Sequence, residues 1–239
     1  MIYLGSKRRL AKEIHPVMFA ERKPGQTWVE PFAGGLGSAD QVPGPVVAGD
    51  YHRELVLMWR KIQQGWDPET PTRAEYDLAH QAWKANDYSL IPAHEVGWIG
   101  FAGSYRGKFF GGYASGGHAE KQSNSIRRQI PNIGHIDLHW AGYWELPIPP
   151  ESLIYCDPPY LSTTDYKGAN SFDHTIFWEW CGQMADDGHT VFVSESTGPK
   201  WLHHNVEVVW EKVVKSTLNY RDQKDIGGRV ERLFRVYPT

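Results

Sequence analysis

Leu153-Ile154-Tyr155-Cys156-Asp157-Pro158-Pro159-Tyr160 is the stretch on which the reading of this chain turns. Four apolar or aromatic residues in a row are too few for a helix and fit a short, fully buried strand. The strand runs directly into Asp157, and two prolines then end any hydrogen-bonded ladder and stiffen the exit. A carboxylate and a tyrosine ring are thereby held in a nearly fixed relation. In an open α/β sheet the carboxyl end of a strand is where ligands bind. On the tetrapeptide alone, a proline-stiffened strand exit without chemistry remains an equal reading.

The flanking sequence supplies the rest of a sheet. Thr27-Trp28-Val29 leads into Glu30-Pro31-Phe32-Ala33-Gly34-Gly35-Leu36-Gly37-Ser38, whose glycines permit a turn that few other residues could follow. Val46-Val47-Ala48 ends at Gly49-Asp50, and a helix follows with Leu55, Met58, Trp59 and Ile62 at helical spacing. Asp173 caps a helix carrying Ile176, Phe177, Trp180 and Met184, on which Trp178 and Trp180 point to opposite sides and at least Trp180 is read as core. Thr190 to Val193, Val206 to Val214 and Arg232 to Tyr237 read as strands, the last two joined by a polar segment containing Gly227-Gly228. The succession predicts an α/β fold: an open, mainly parallel sheet with helices on both faces and an antiparallel C-terminal edge strand.

Near Ser6 a helix begins that carries Lys7, Arg8, Arg9 and Lys12, with Leu10 and Ile14 as its apolar face. Between about Gly65 and Pro150 the periodicity breaks up, which reads as an insert rather than as more sheet. Within it, Thr72 with Glu75 forms a capping-box pattern, and Pro92 opens another helix. Gly103 to Gly117 is glycine-rich and interleaved with Tyr105, Arg106, Lys108, Phe109, Phe110 and Tyr113, a loop that displays large side chains.

Composition bounds the function. The chain has 239 residues, 41% hydrophobic and 22% charged, which suits one buried core and excludes a disordered protein. No Arg-flanked apolar segment opens the sequence and no apolar run approaches the roughly 20 residues of a membrane span, so the cytoplasm is the expected location. Cys156 and Cys181 form neither a disulfide framework nor a metal knuckle. The formal charge is −3, so any nucleic-acid surface must be local. From Ser104 to Arg128 the basic Arg106, Lys108, Lys121, Arg127 and Arg128 face only Glu120, making this the candidate patch, together with Lys7 and Arg8. His135, Asp137 and His139 could share one helical face, but no further ligands follow and no metal is expected. His203-His204 reads as an exposed turn. Zinc-dependent base deamination is disfavoured because its H-x-E and P-C-x-x-C pattern is absent.

Two segments have the form of ligand sites. The glycines of Glu30 to Ser38 would let a bulky ligand approach the backbone, and Asp50 could accept hydrogen bonds from ribose hydroxyls. The spacing is not the dinucleotide fingerprint, so a nucleoside-type cofactor without pyrophosphate fits it, beside the plainer reading as a tight core turn. In the second segment, Asp157 and the carbonyl of Pro158 can accept both hydrogens of an exocyclic amine while the Tyr160 ring stacks on a flat heterocycle.

At these segments the chain resembles the Dam-like, D12 class of DNA adenine-N6 methyltransferases. Tyr3-Leu4-Gly5-Ser6-Lys7 resembles the family's N-terminal motif, Trp28 to Gly35 its cofactor motif and Ile154 to Tyr160 its catalytic motif. Gly107 to Tyr113 and Phe172-Asp173-His174 resemble features of phage and prophage members. Two departures are Gly5-Ser6, where the family has a glycine pair, and Tyr51-His52 after Asp50. The resemblance implies a methyltransferase fold with residues 1–64 and 146–239 as the catalytic domain and 65–145 as an inserted target-recognition region. It implies S-adenosylmethionine as cofactor, released as S-adenosylhomocysteine, with no metal. Tyr3, Lys7, Glu30, Pro31, Phe32, Gly34, Gly35, Asp50 and Asp157 would line it, Asp50 on the ribose. Asp157, Pro158, Pro159 and Tyr160 would hold a flipped adenine. Double-stranded DNA is the implied partner, with no membrane and no obligate protein partner. Methylation of cytosine N4, RNA adenine or a protein glutamine, and a catalytically silent DNA-binding protein, are the competing readings.

Overall fold

The computed structural model describes residues 1–160, 172–214 and 229–239. Gly227-Gly228 lies outside the described residues. In chain order the helices are α1 (Arg8–Glu21), α2 (Arg53–Gln63), α3 (Arg73–Ala85), α4 (Ala93–Ala102), α5 (His118–Arg127) and α6 (His174–Asp186). The strands are β1 (Trp28–Glu30), β2 (Val46–Asp50), β3 (Ile136–Trp140), β4 (Leu153–Cys156), β5 (Thr190–Glu195), β6 (Val206–Val214) and β7 (Arg229–Val236). The fold is a mixed, mostly parallel sheet flanked by helices: β1 with β4, β4 with β5 and β2 with β3 are parallel, while β7 is antiparallel to both β5 and β6. The antiparallel element expected at the C-terminus is therefore β7, with β6 outside it.

Chain contacts divide the molecule into two compact units, residues 1–11 with 31–147 and residues 12–30 with 148–239. In the second unit every residue of β4 is buried, as a strand covered on both faces requires. Registers Ile154↔Val191 and Val193↔Phe234 tie β4 to β5 and β5 to β7. Helix α6 starts where Asp173 accepts hydrogen bonds from the amides of Thr175 and Ile176 at 2.8 and 3.1 Å. Its buried stripe is Phe177, Trp178, Cys181 and Ala185. Trp178, 2% exposed, is the core tryptophan, set edge-on to Phe234; Trp180 is only half-buried. Trp180 and Ile176 fall outside that stripe because helical residues advance by about 100° each. Cys156 and Cys181 are free, buried and in contact, and burial together with Cys156 pushes the Cys181 thiol pKa up.

The first unit contains the stretch that reads as an insert. The capping box at Thr72 and Glu75 and the start of α4 at Pro92 both form. Helix α4 packs against α2, α3 and α5. The sheet nevertheless re-enters here, because β3 pairs in parallel with β2 from Val46↔Ile136 to Asp50↔Trp140. Asp137 and His139 are thus on a strand, not a helical face, with His139 Nε2 2.9 Å from Asp137 Oδ2 while His135 Nε2 faces the Val42 carbonyl at 3.1 Å. Among the described residues no group of three or more His, Cys, Asp or Glu side chains is arranged to hold a metal. No helix among them is long and apolar enough to cross a membrane.

Buried His15 in α1 packs against Phe19 and Trp28 at centroid distances of 5.2 and 5.4 Å. Burial lowers its pKa from 6.5 to about 4, so the folded state keeps it neutral while the unfolded chain takes up a proton. Its contribution to stability is complete above pH 6.5 and declines as pH falls towards 4, by up to about 3 kcal/mol. Urea unfolding of wild type and His15→Leu across that window will show the variant losing less stability than the wild type.

Candidate active site

In the first unit the turn after β1 is clamped from several sides. The Gly34 amide donates to Asp50 Oδ2 at 2.9 Å, and the His52 amide donates to Asp50 Oδ1 at 2.8 Å. Trp59 Nε1 donates to the Gly34 carbonyl at 3.1 Å, and Gln129 Nε2 donates to that of Gly35 at 3.1 Å. Burial raises the Asp50 carboxyl pKa, while the two amides and His52 oppose the rise; burial likewise lowers that of His52. Each Asp50 oxygen accepts one backbone bond, and a carboxylate has roughly four acceptor positions, so capacity remains at this half-buried residue.

Gly34 has φ +47°, and a Cβ there would lie 2.7 Å from Tyr3 Cε1; at Gly35 it would lie 2.7 Å from Tyr3 Cβ. The space on the Cβ side of both glycines is therefore taken by Tyr3. Tyr3, Gly34, Gly35 and Asp50 form one cluster. Pro31 is buried in the same loop, and half-buried Phe32 lies 5.6 Å from the Tyr143 ring. Lys7 is only 8% exposed, its Nζ directed to the Gly5 carbonyl at 3.4 Å.

In the second unit β4 ends at Cys156 and is followed by half-buried Asp157, buried Pro158, half-buried Pro159 and buried Tyr160. Tyr160 Oη donates to Glu231 Oε2 at 2.7 Å, and the Tyr155 hydroxyl meets Ser194 Oγ at 2.8 Å. Burial raises both phenol pKa values, first by desolvation and then through the charge of Asp157. Glu231 adds to this at both phenols and Glu30 at Tyr155. Both tyrosines are therefore neutral at ordinary pH, and Tyr160 is a donor. Glu30 also accepts from Trp28 Nε1 at 3.2 Å. Three carboxylates facing two neutral phenols make a place suited to amine hydrogens and developing positive charge. Tyr160 is 6% exposed, so its ring face is covered and a base could stack on it only after the covering groups withdraw. Sequence reasoning missed Glu231, Ser194 and Tyr155; Glu231 in Val230-Glu231-Arg232-Leu233 carries the pattern of a solvent-facing position.

The basic residues separate into two groups. Lys7 is buried, and Arg8, half-buried, is drawn to the buried Asp40 carboxylate. Arg127 is offset by Asp67, with contacts of 3.0 to 3.3 Å. Arg106, Lys108, Lys121 and Arg128 are exposed. Arg106 lies 5.3 Å over the Tyr105 ring, and a cavity of about 360 Å³ is bordered by Tyr105, Tyr113, His118 and Lys121. His174 meets the Phe172 ring at 4.8 Å, and helix capping accounts for Asp173. His204 is not simply an exposed turn, since its Nε2 lies 2.9 Å from Asp186 Oδ2.

Residues 3–87 match the family model of the D12 class N6 adenine-specific DNA methyltransferases. A methyltransferase domain of that class is thus present over this part of the chain, and the match includes Tyr3, Lys7, the glycine turn and Asp50. The chain is also similar to a solved structure, "Putative methyltransferase yhhF from Escherichia coli", at 11% identity and a TM-score of 0.40, over 98% of this chain and 85% of that one.

Gly34→Ala should destabilise the protein by about 1–3 kcal/mol, since it combines a left-handed φ with a collision against Tyr3. Gly134→Ala, where a Cβ meets nothing within 4 Å, is the control and should shift the denaturation midpoint little.

Proposed function

We propose that this protein is an S-adenosylmethionine-dependent DNA methyltransferase that acts on N6 of an extruded adenine. The observation that carries the reading is the half-buried Asp157 carboxylate at the carboxyl end of a parallel strand, followed by two prolines that have no amide hydrogens of their own. The D12-class match over residues 3–87 supports the cofactor and the base.

Asp157 and the Pro158 carbonyl accept the two hydrogens of the adenine amino group, which turns the nitrogen lone pair out of conjugation. Asp157, with Glu30 and Glu231 adding negative charge, stabilises the positive charge that grows on nitrogen. The amine proton becomes acidic only after alkylation, so Asp157 need not be a strong base and the proton leaves to solvent. Extruding the base costs a few kcal/mol, offset by the pocket that Tyr160 walls.

The chemistry of the first cluster suits S-adenosylmethionine: Asp50 retains acceptor capacity for ribose hydroxyls, and half-buried Phe32 offers an apolar edge. When bound, the cofactor supplies an electrophilic methyl on a positively charged sulfur and is released as S-adenosylhomocysteine. Tyr3 braces the glycine turn that presents the Gly34 amide to Asp50. Arg106, Lys108, Lys121 and Arg128 contact duplex phosphates.

Incubation with labelled S-adenosylmethionine and mixed-sequence DNA, followed by nucleoside analysis, should yield N6-methyladenine. Asp157→Ala should lower kcat at least about 100-fold while cofactor binding persists. A folded, cofactor-bound wild type that yields no N6-methyladenine defeats the proposal, and N4-methylcytosine would redirect it to the other amine. Titrations across salt provide a separate check: Lys121→Ala and Arg128→Ala should each reduce the slope of log affinity against log salt by about 1.

A further inference from the structure

Tyr160 and Glu231 are 71 residues apart in sequence, yet the phenol donates to the carboxylate at 2.7 Å with both residues buried, 6% and 9% exposed. The antiparallel course of β7 explains the meeting. Its pairing with β5 runs from Val191↔Val236 to Glu195↔Arg232, so Glu231 lies one residue past the last pair, beside the carboxyl end of β5. Lys212↔Glu231 pairing with β6 holds the same residue from the other side. A reversed strand thus brings the start of β7, rather than its end, to the level at which β4 delivers Asp157. The prolines stiffen the backbone before Tyr160 but leave the two side-chain torsions of the ring free. A buried hydroxyl and a buried carboxylate oxygen each need a partner, and here they supply one another.

We propose that Glu231 is a positioning residue: its carboxylate anchors the Tyr160 hydroxyl and sets the ring as a fixed wall of the base pocket before the base arrives. The inference rests on the reading of Asp157 to Tyr160 as the methyl-transfer segment. Preorganisation of this kind is felt mainly in the rate of the chemical step rather than in cofactor affinity, because the ring and not the cofactor cluster is set by it.

Steady-state methylation of DNA and fluorescence of 2-aminopurine at the target base test this together, with thermal unfolding as the check on folding. Glu231→Ala should lower kcat about 10- to 100-fold with KM for S-adenosylmethionine unchanged within about twofold. Tyr160→Phe, which breaks the same bond without emptying space, should lower kcat similarly, and the double variant should lose no more than either single one. Glu231→Gln, which keeps an acceptor oxygen, should recover most of the loss. The 2-aminopurine signal of extrusion should persist in both single variants with altered quenching, a change that general destabilisation would not produce. A folded Glu231→Ala with wild-type kcat, or strictly additive losses in the double variant, overturns the inference. Should Glu231→Ala not fold, Tyr160→Phe decides, and unchanged kcat there overturns it. Methyl transfer by the wild type that survives these changes sinks the inference alone, whereas its absence in the wild type sinks the functional reading and the inference with it.

Discussion

The parallel ladder of β4 stops at Cys156, just before Asp157, and neither Pro158 nor Pro159 has an amide hydrogen to resume it. That single deficit leaves a carboxylate half-buried at the end of a wholly buried strand. A charge in such a position must be met by hydrogen-bond donors or by an incoming positive charge. In the surrounding second unit the neutral phenols of Tyr155 and Tyr160 are close enough for Asp157 to raise both pKa values, while their hydroxyls are engaged with Ser194 and Glu231.

The glycine turn of the first unit obeys a different constraint. Its left-handed Gly34 is maintained by three contacts of different kinds: an amide bond to Asp50, a carbonyl bond from Trp59 and the covering ring of Tyr3. The acidic partner comes from the end of β2, and Trp59 comes from α2. Tyr3 of the N-terminal segment is thus part of the turn's architecture, while Lys7 is buried and Arg8 pairs with the buried Asp40 carboxylate.

Elements with a strong local signature were legible in the sequence. Strand β4 has its predicted limits, and β6 likewise. The caps at Thr72, Pro92 and Asp173 formed because capping depends on a few neighbouring residues. Two elements of the stretch read as an insert were not predicted. Helix α5 follows a glycine pair and carries little apolar periodicity. Strand β3 could have been found, since Ile136 and Leu138 alternate with Asp137 and His139 as a half-buried strand requires. The choice between Trp178 and Trp180 depended on which side of α6 faces β5 and β7, and helical spacing alone does not say.

By itself the sequence determined the strand that ends in Asp157, the turn that needs glycine, the mostly parallel sheet and the family likeness of residues 3–87, because each depends on short-range stereochemistry or on a contiguous pattern. Only the tertiary structure decided which charges are spent internally, that Tyr3 occupies the glycine turn and that Glu231 holds Tyr160. Those outcomes depend on which residues of distant segments become neighbours when the backbone packs. Burial and hydrogen-bond partnership are properties of that packing, and a side chain's chemical type does not disclose them.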